Sequence, residues 1–306
     1  MVATEFGGPE VLSVIDQATP EPGPGQVLDD VRAVGVNPID YKSYSGAYGA
    51  DPSQLPRRVG SEASGVVAAI GSDVTGVAVG DEVIAFRAPG AYAEQLLVDA
   101  TEITPKPPEV GWEPAAGLML TGTTAVHALS AADVGPGETV LVHGAAGGVG
   151  LMLVQLAVAR KAHVIATASE RNHALLASLG ATPVTYGPGL VDRVRVLARD
   201  GVDAATDLIG TDEAIDTSLE LVPLRSRIVS IAAFGRGGDG IRLIGGGPGA
   251  DPGDDIRRAA RSMLTEAVAD GSLRVLVERT YPLREAAEAH RQLKAGHVTG
   301  KLVLTV

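Results

Sequence analysis

Hydrophobic and polar positions follow two different rhythms along this chain. Over roughly the first hundred residues the apolar positions fall in short alternating runs, Val27 to Val36, Gly65 to Ile70, Glu82 to Ala85 and Ala91 to Val98, punctuated by glycine and proline. Alternation of that length predicts short strands with one buried face, so this segment is expected to be β-rich. The stretch Thr19-Pro20-Glu21-Pro22-Gly23-Pro24-Gly25 predicts a stiff, extended surface connection. From Trp112 the rhythm changes. A helix is predicted over Pro114 to Ala131, and strands at 139 to 143, 163 to 168, 202 to 208 and 227 to 232 then alternate with helices at 149 to 160, 171 to 178 and 212 to 222. Such alternation predicts βαβ units around a parallel sheet. Residues 235 to 254 predict a glycine-rich loop carrying an edge strand, Ile241 to Ile244, and Ile256 to Ala269 predicts a further helix. Leu273 to Val306 predicts a strand, a short helix (Leu283 to Lys294) and another strand (Lys301 to Val306), a tail expected to rejoin the first domain.

One stretch organises the second half. Thr139 to Ala159 runs from a β-branched strand through Gly144-Ala145-Ala146-Gly147-Gly148-Val149-Gly150 into a continuous apolar segment of helical length. A strand that turns at once into a helix needs freedom from Cβ, a pyrophosphate needs close backbone N–H groups, and the helix must lie tight on the sheet. Gly147, Gly148 and Gly150 are expected to fill those three roles, although the strict G-x-G-x-x-G pattern has Ala145 in place of its first glycine. With its flanking strand and helix the turn predicts a dinucleotide site that includes Ala146, Gly147, Gly148 and Val149.

Composition narrows the possibilities. A chain of 306 residues that is 45% hydrophobic can bury a large core, and its length suggests two domains. The absence of cysteine excludes disulfides and thiolate zinc sites. No segment has the uninterrupted apolar length of a membrane span or the make-up of a signal peptide, so a cytoplasmic protein without membrane partners is expected. A formal net charge of -12 argues against nucleic acid as a partner, because neutralising phosphates needs a basic face.

Four blocks carry a family resemblance. Asn37-Pro38-Ile39-Asp40-Tyr41, Val79-Gly80-Asp81-Glu82-Val83, the Ala145-Ala146-Gly147-Gly148-Val149-Gly150 turn and Gly300-Lys301-Leu302-Val303-Leu304, in that order, resemble the zinc-independent quinone oxidoreductase (zeta-crystallin-like) branch of the medium-chain dehydrogenase/reductase superfamily. The resemblance implies an α/β fold: a GroES-like β-rich substrate domain at residues 1–111, completed by 272–306, and a doubly wound Rossmann NADP-binding domain at 112–271. Zinc-dependent members carry Gly-His-Glu where this chain has Gly60-Ser61-Glu62, and its six histidines show no ligand spacing, so no metal is expected.

The end of the second Rossmann strand bears on the cofactor. An acid there would accept the ribose 2′-OH of NADH, whereas NADPH requires its absence and a nearby cation. Ala168 stands in the acid's place, Ser169 can donate to phosphate, and Arg171 stands close by; the family often has lysine where this chain has His173, and Arg171 is expected to substitute for it. NADPH is therefore expected; the Glu170 carboxylate either repels the phosphate or points to solvent as the early acid of the following helix, the favourable end for it. By the same resemblance Tyr186 packs near the adenosine, Thr124 near the nicotinamide and phosphates, and Gly210, Ile231 and Ala232 line the carboxyl ends of the later strands. Asn37 and Tyr41 are the candidate catalytic residues, placed by resemblance beside the nicotinamide and one helical turn apart; Asn37 also reads as the N-cap of a helix beginning at Pro38. The implied chemistry is hydride transfer to a quinone or similar conjugated carbonyl. The alternatives are an enone, enal or trans-acting enoyl reductase, and a non-catalytic crystallin-like NADPH-binding protein. Tyr44, Tyr48, Phe86 and Phe234 are expected around the substrate, and a homodimer is expected through the Ile241 to Ile244 edge.

Overall fold

The longest alternating run becomes the longest strand. In the computed structural model, which describes residues 1–306, the segment up to Pro105 forms β1 (Val2–Ala3), β2 (Leu12–Ser13), β3 (Gln26–Val36), β4 (Arg57–Arg58), β5 (Glu62–Ile70), β6 (Glu82–Phe86), β7 (Gln95–Asp99) and β8 (Ile103–Pro105). One helix, α1 (Pro38–Tyr44), follows β3 directly. β3 pairs antiparallel with β5 along most of its length, with register shifts at Leu28/Asp29 and Val31/Ala33. Such shifts bend a strand and increase its twist. Its other edge pairs first with β7, over Gln26 to Asp30. Val27, Val31, Val34, Ala63, Val67 and Leu96 fill the core between these strands. The run from Ala91 is only partly strand: Ala91 and Tyr92 are apolar because they are buried in a loop.

The single helix expected over Pro114 to Ala131 is two helices, α2 (Trp112–Ala116) and α3 (Met119–Ala131). Gly117 caps α2, and a Cβ on it would come within 3.2 Å of Lys301 Cε and Val275 Cγ1, so the break lets the backbone pass against those side chains. The parallel sheet then appears: β9 (Thr139–His143), α4 (Gly148–Ala159), β10 (His163–Thr167), α5 (His173–Ser178), β11 (Thr182–Val184), α6 (Leu190–Leu197), β12 (Ala204–Asp207), α7 (Asp212–Leu221), β13 (Ile228–Ser230) and β14 (Arg242–Leu243). The strand order is β11-β10-β9-β12-β13-β14 and every pairing is parallel. This is the doubly wound dinucleotide-binding order, which reverses between β9 and β12. The edge strand β14 is shorter than expected, and Ile241 and Ile244 on either side of it point inward and are buried.

α8 (Asp254–Ala269) leads back to the first sheet through β15 (Val277–Pro282), α9 (Ala286–Ala295) and β16 (Lys301–Thr305). β16 lies between β15 and β3, pairing parallel with the one and antiparallel with the other. The chain forms two compact units, Met1–Leu120 with Ser262–Val306, and Thr121–Arg261. Their boundaries fall inside α3 and α8, not at the breaks in patterning near 111 and 271. No helix is long and apolar enough to cross a membrane.

Candidate active site

In the first unit, α1 is held from its N-terminus by a buried polar network. Pro38 occupies the first helical position, and Asp40 Oδ2 accepts the Asn37 N–H at 2.8 Å, the side-chain return of a capping box. The Asn37 amide is fully engaged: Nδ2 donates to Gly35 O (3.3 Å) and Glu62 Oε1 (2.9 Å), and Oδ1 accepts from Lys301 Nζ (2.6 Å). Lys301 spends its other protons on Val36 O (2.9 Å) and Glu62 Oε1 (3.1 Å). Glu62 Oε2 accepts the Leu120 N–H (2.8 Å) near the start of α3. The Lys301 and Glu62 side chains are 4% and 0% exposed, so the pair is tolerable only because each charge is compensated by the other and by hydrogen bonds.

Asp40 extends the network. Its carboxylate also accepts from Ser61 Oγ (3.2 Å) and Tyr92 Oη (3.2 Å). Burial pushes its carboxyl up to about 7, opposed by the Asn37 bond and by the Lys301 charge. Tyr92 Oη also meets His290 Nε2 at 2.8 Å, and Tyr44 Oη meets His290 Nδ1 at 2.6 Å. Burial holds His290 down at about 4, so its ring is neutral near pH 7. Tyr41, half-buried on α1, sets its ring edge-on to His290 at 6.3 Å between centroids. Its hydroxyl makes no hydrogen bond to the chain. Burial raises its pKa, so the phenol stays protonated and able to donate.

In the second unit, α4 starts at the carboxyl end of β9. The turn is made by Gly144, whose φ of +73° lies in the left-handed region, and not by Gly147, whose φ of -75° any residue can adopt. Gly150 serves close packing: a Cβ there would collide with Gly144 O and the Ala145 carbonyl. Leu151 makes the first bond along the helix, to Gly147 O, so the N–H groups of Gly148, Val149 and Gly150 face outward at the helix's positive end. That cradle fits a pyrophosphate. At the end of β10, Ala168 is buried, Ser169 caps a turn over Glu170–Asn172, and His173 Nε2 lies 3.3 Å from Ala168 O. Ser169, Arg171 and His173 thus occupy one short segment, and Arg171 is exposed.

The ends of β12 and β13 are braced together. Asp207, fully buried, accepts from Ile209 N–H (3.1 Å), Gly210 N–H (2.9 Å) and Ser230 Oγ (2.5 Å). Ser230 Oγ in turn accepts from Ala232 N–H (3.1 Å) and Ala233 N–H (2.8 Å). Gly210 packs on Ala232, whose Cβ would stand 2.9 Å from a Cβ at Gly210, and Ile231 donates its N–H to Asp207 O. Gly210, Ile231 and Ala232 are therefore brought together. Thr124 Oγ1 accepts from the buried Arg257 at 2.8 Å. Tyr186 is 49% exposed beyond β11.

Several expectations change. Asn37 is buried with both amide protons committed, so it braces α1 and has no donor left for an acceptor oxygen. Tyr44 and Phe86 are buried, the first as a partner of His290, and they present no substrate surface. Asp207, Ser230, Arg257, Tyr92 and His290 were not anticipated. Asp207 ends a predicted strand, but nothing local marks its pairing with Ser230. No group of three or more His, Cys, Asp or Glu side chains is placed to hold a metal ion.

Comparison with known proteins accords with this architecture. Residues 23–108 match the family model described as alcohol dehydrogenase GroES-like domain, and residues 179–304 match the one described as zinc-binding dehydrogenase. A quinone oxidoreductase of Pseudomonas aeruginosa is 34% identical over 98% of this chain and 97% of its own length. The chain belongs to the quinone oxidoreductase branch of the medium-chain dehydrogenase/reductase superfamily. It is thus an oxidoreductase. Escherichia coli quinone oxidoreductase, solved in complex with NADPH, superposes with a TM-score of 0.89 at 28% identity, covering 100% of this chain and 99% of that one. This oxidoreductase is also 37% identical, over 92% of its length, to a segment that makes up 5% of the polyketide synthase GfsB of Streptomyces halstedii.

Proposed function

We propose that the chain is an NADPH-dependent, zinc-independent reductase that delivers hydride to a quinone or similar conjugated carbonyl. The observation that carries this reading is the end of β10, where buried Ala168 takes the place of the acid that would accept a ribose 2′-OH and the following segment offers Ser169, Arg171 and His173 beside Glu170. The outward N–H groups of Gly148 and Val149 would hold the pyrophosphate, with Ala146 and Gly147 in the turn, Thr124 and the Gly210, Ile231 and Ala232 backbone would hold the nicotinamide half, and Tyr186 would meet the adenosine. When bound, NADPH supplies the hydride. The protein's part is to orient the acceptor and stabilise the charge that gathers on its oxygen. Tyr41 does this as a hydrogen-bond donor, because its raised pKa favours donation over full proton release. A homodimer in which the backbone edge of the Ile241 to Ile244 segment pairs with its two-fold mate belongs to the same proposal, and a monomer on sizing in solution would remove it.

The test is the rate of NADPH and, separately, NADH oxidation with p-benzoquinone, phenanthrenequinone, an enal and an enone, chelator being present. Quinone-dependent consumption of NADPH is expected. Preference for NADH would refute the assignment of Ala168, Ser169 and Arg171. The polyketide synthase match favours one second reading, reduction of a conjugated C=C bond; activity with the enone or enal and none with quinones would select it.

A further inference from the structure

The mechanism above uses Tyr41 and leaves the groups behind it unexplained. His290 on α9 is enclosed by three tyrosine rings: Tyr44 stacked at 5.7 Å and 8°, Tyr92 edge-on at 5.5 Å and Tyr41 edge-on at 6.3 Å. Both ring nitrogens are bonded, and the histidine is fully buried.

The polarity of this chain follows from counting protons. When Asp40 is ionised, Tyr92 gives its one hydroxyl proton to that carboxylate, and the proton between Tyr92 and His290 then sits on Nε2. A neutral imidazole then has a bare Nδ1, which accepts the Tyr44 proton. The run Tyr44 O–H to Nδ1, Nε2–H to Tyr92 Oη, and Tyr92 O–H to Asp40 Oδ2 points one way and ends on the carboxylate that caps α1. Both ends of the run lie on α1, at Asp40 and Tyr44, with Tyr41 between them. The helix is thereby pinned on either side of Tyr41.

We propose that His290 is the positioning residue of Tyr41, fixing the register and tilt of α1 through the Tyr44–His290–Tyr92–Asp40 chain so that the Tyr41 hydroxyl meets the acceptor oxygen. This rests on Tyr41 being the donor to that oxygen. His290 touches no substrate and acts through the two hydrogen bonds and the ring contact.

The experiment is a double-mutant cycle on the full chain, with NADPH and p-benzoquinone as probes. Tyr41→Phe is expected to lower kcat roughly 10- to 100-fold, the range for loss of one donor to a developing oxyanion. His290→Phe keeps a ring but removes both bonds, and is expected to lower kcat about 10-fold by misplacing the donor. NADPH affinity, read by nucleotide fluorescence, should not move, because the groups assigned to the nucleotide belong to the other unit. Combined with Tyr41→Phe, His290→Phe should cost nothing further in kcat. His290→Gln, with one acceptor and one donor, should recover most of the rate. Tyr44→Phe, which removes a single hydrogen bond and leaves His290 in place, gives a smaller loss that also vanishes in the Tyr41→Phe background, and it decides the matter if His290→Phe does not fold. An equal loss in both backgrounds, or a parallel loss of NADPH affinity, overturns the positioning role while leaving Tyr41 as donor. A Tyr41→Phe variant of full activity refutes the donor assignment and the positioning role with it.

Discussion

Asp29 gives the sharpest test of the energetics. It lies in β3, is 0% exposed, and neither carboxylate oxygen has a hydrogen-bond partner in the chain. A Cβ on Gly65 would strike this carboxylate, so the glycine makes the space it occupies. Burial, with a smaller contribution from Asp30 and opposition from Arg32, pushes its carboxyl up from 3.8 to about 7. Between those values the folded protein holds a proton that the unfolded chain has released, so stability falls as pH rises and the loss is complete above pH 7. At 1.36 kcal/mol per pH unit over about 3 units, the full cost is about 4 kcal/mol, of which about 2 to 3 kcal/mol accrues between pH 5 and pH 8. Asp29→Asn keeps the shape and removes the titration. Urea unfolding followed by Trp112, the only tryptophan and a member of the same unit, should show the variant gaining on the parent by that amount from pH 5 to pH 8. Parallel stability curves for the two proteins would refute the argument.

Three further outcomes are expected. Lys301→Met leaves Glu62 buried without its counter-charge and should cost roughly 3 to 5 kcal/mol, measured by the same unfolding assay. Gly150→Ala forces a methyl into Gly144 O and the Ala145 carbonyl; overpacking costs about 1 to 3 kcal/mol, and NADPH affinity by fluorescence titration should fall at least about 10-fold with the distorted turn. His143, buried at the end of β9 and held at about 4 by desolvation, binds its proton more weakly folded than unfolded, so its contribution to stability is present above pH 6.5 and lost as pH falls toward 4. His143→Gln should flatten that part of the acid-unfolding curve.

Local pattern made the strands, the βαβ alternation and the N-cap at Asn37 legible, because period, glycine turns and Pro38 act over a few residues. It did not reveal what those residues touch. Asn37 looked like a catalytic donor until Glu62 and Lys301, far away in the chain, took up its amide. Gly147 looked like the turn residue, but Gly144, one position earlier than the motif begins, has the left-handed backbone. Two-residue strands such as β1 and β4 are too short for any periodicity, and Tyr44 looked like a substrate-pocket aromatic until His290 came within reach from α9. In each case the deciding contact spans a distance that no window of sequence contains.

The position of β16 has a consequence for how the protein is made. Translation completes Thr121 to Arg261 before Lys301 to Thr305 exist, whereas β3 precedes both. The parallel sheet closes from neighbouring segments and is free to fold during synthesis, whereas half of one β3 edge stays open until the chain beyond residue 300 arrives. Until then a nascent chain exposes an unpaired strand edge and carries the Glu62 carboxylate without its ammonium. Chaperone demand during expression should therefore concentrate on the β-rich unit, whose segments lie on either side of the parallel sheet in chain order.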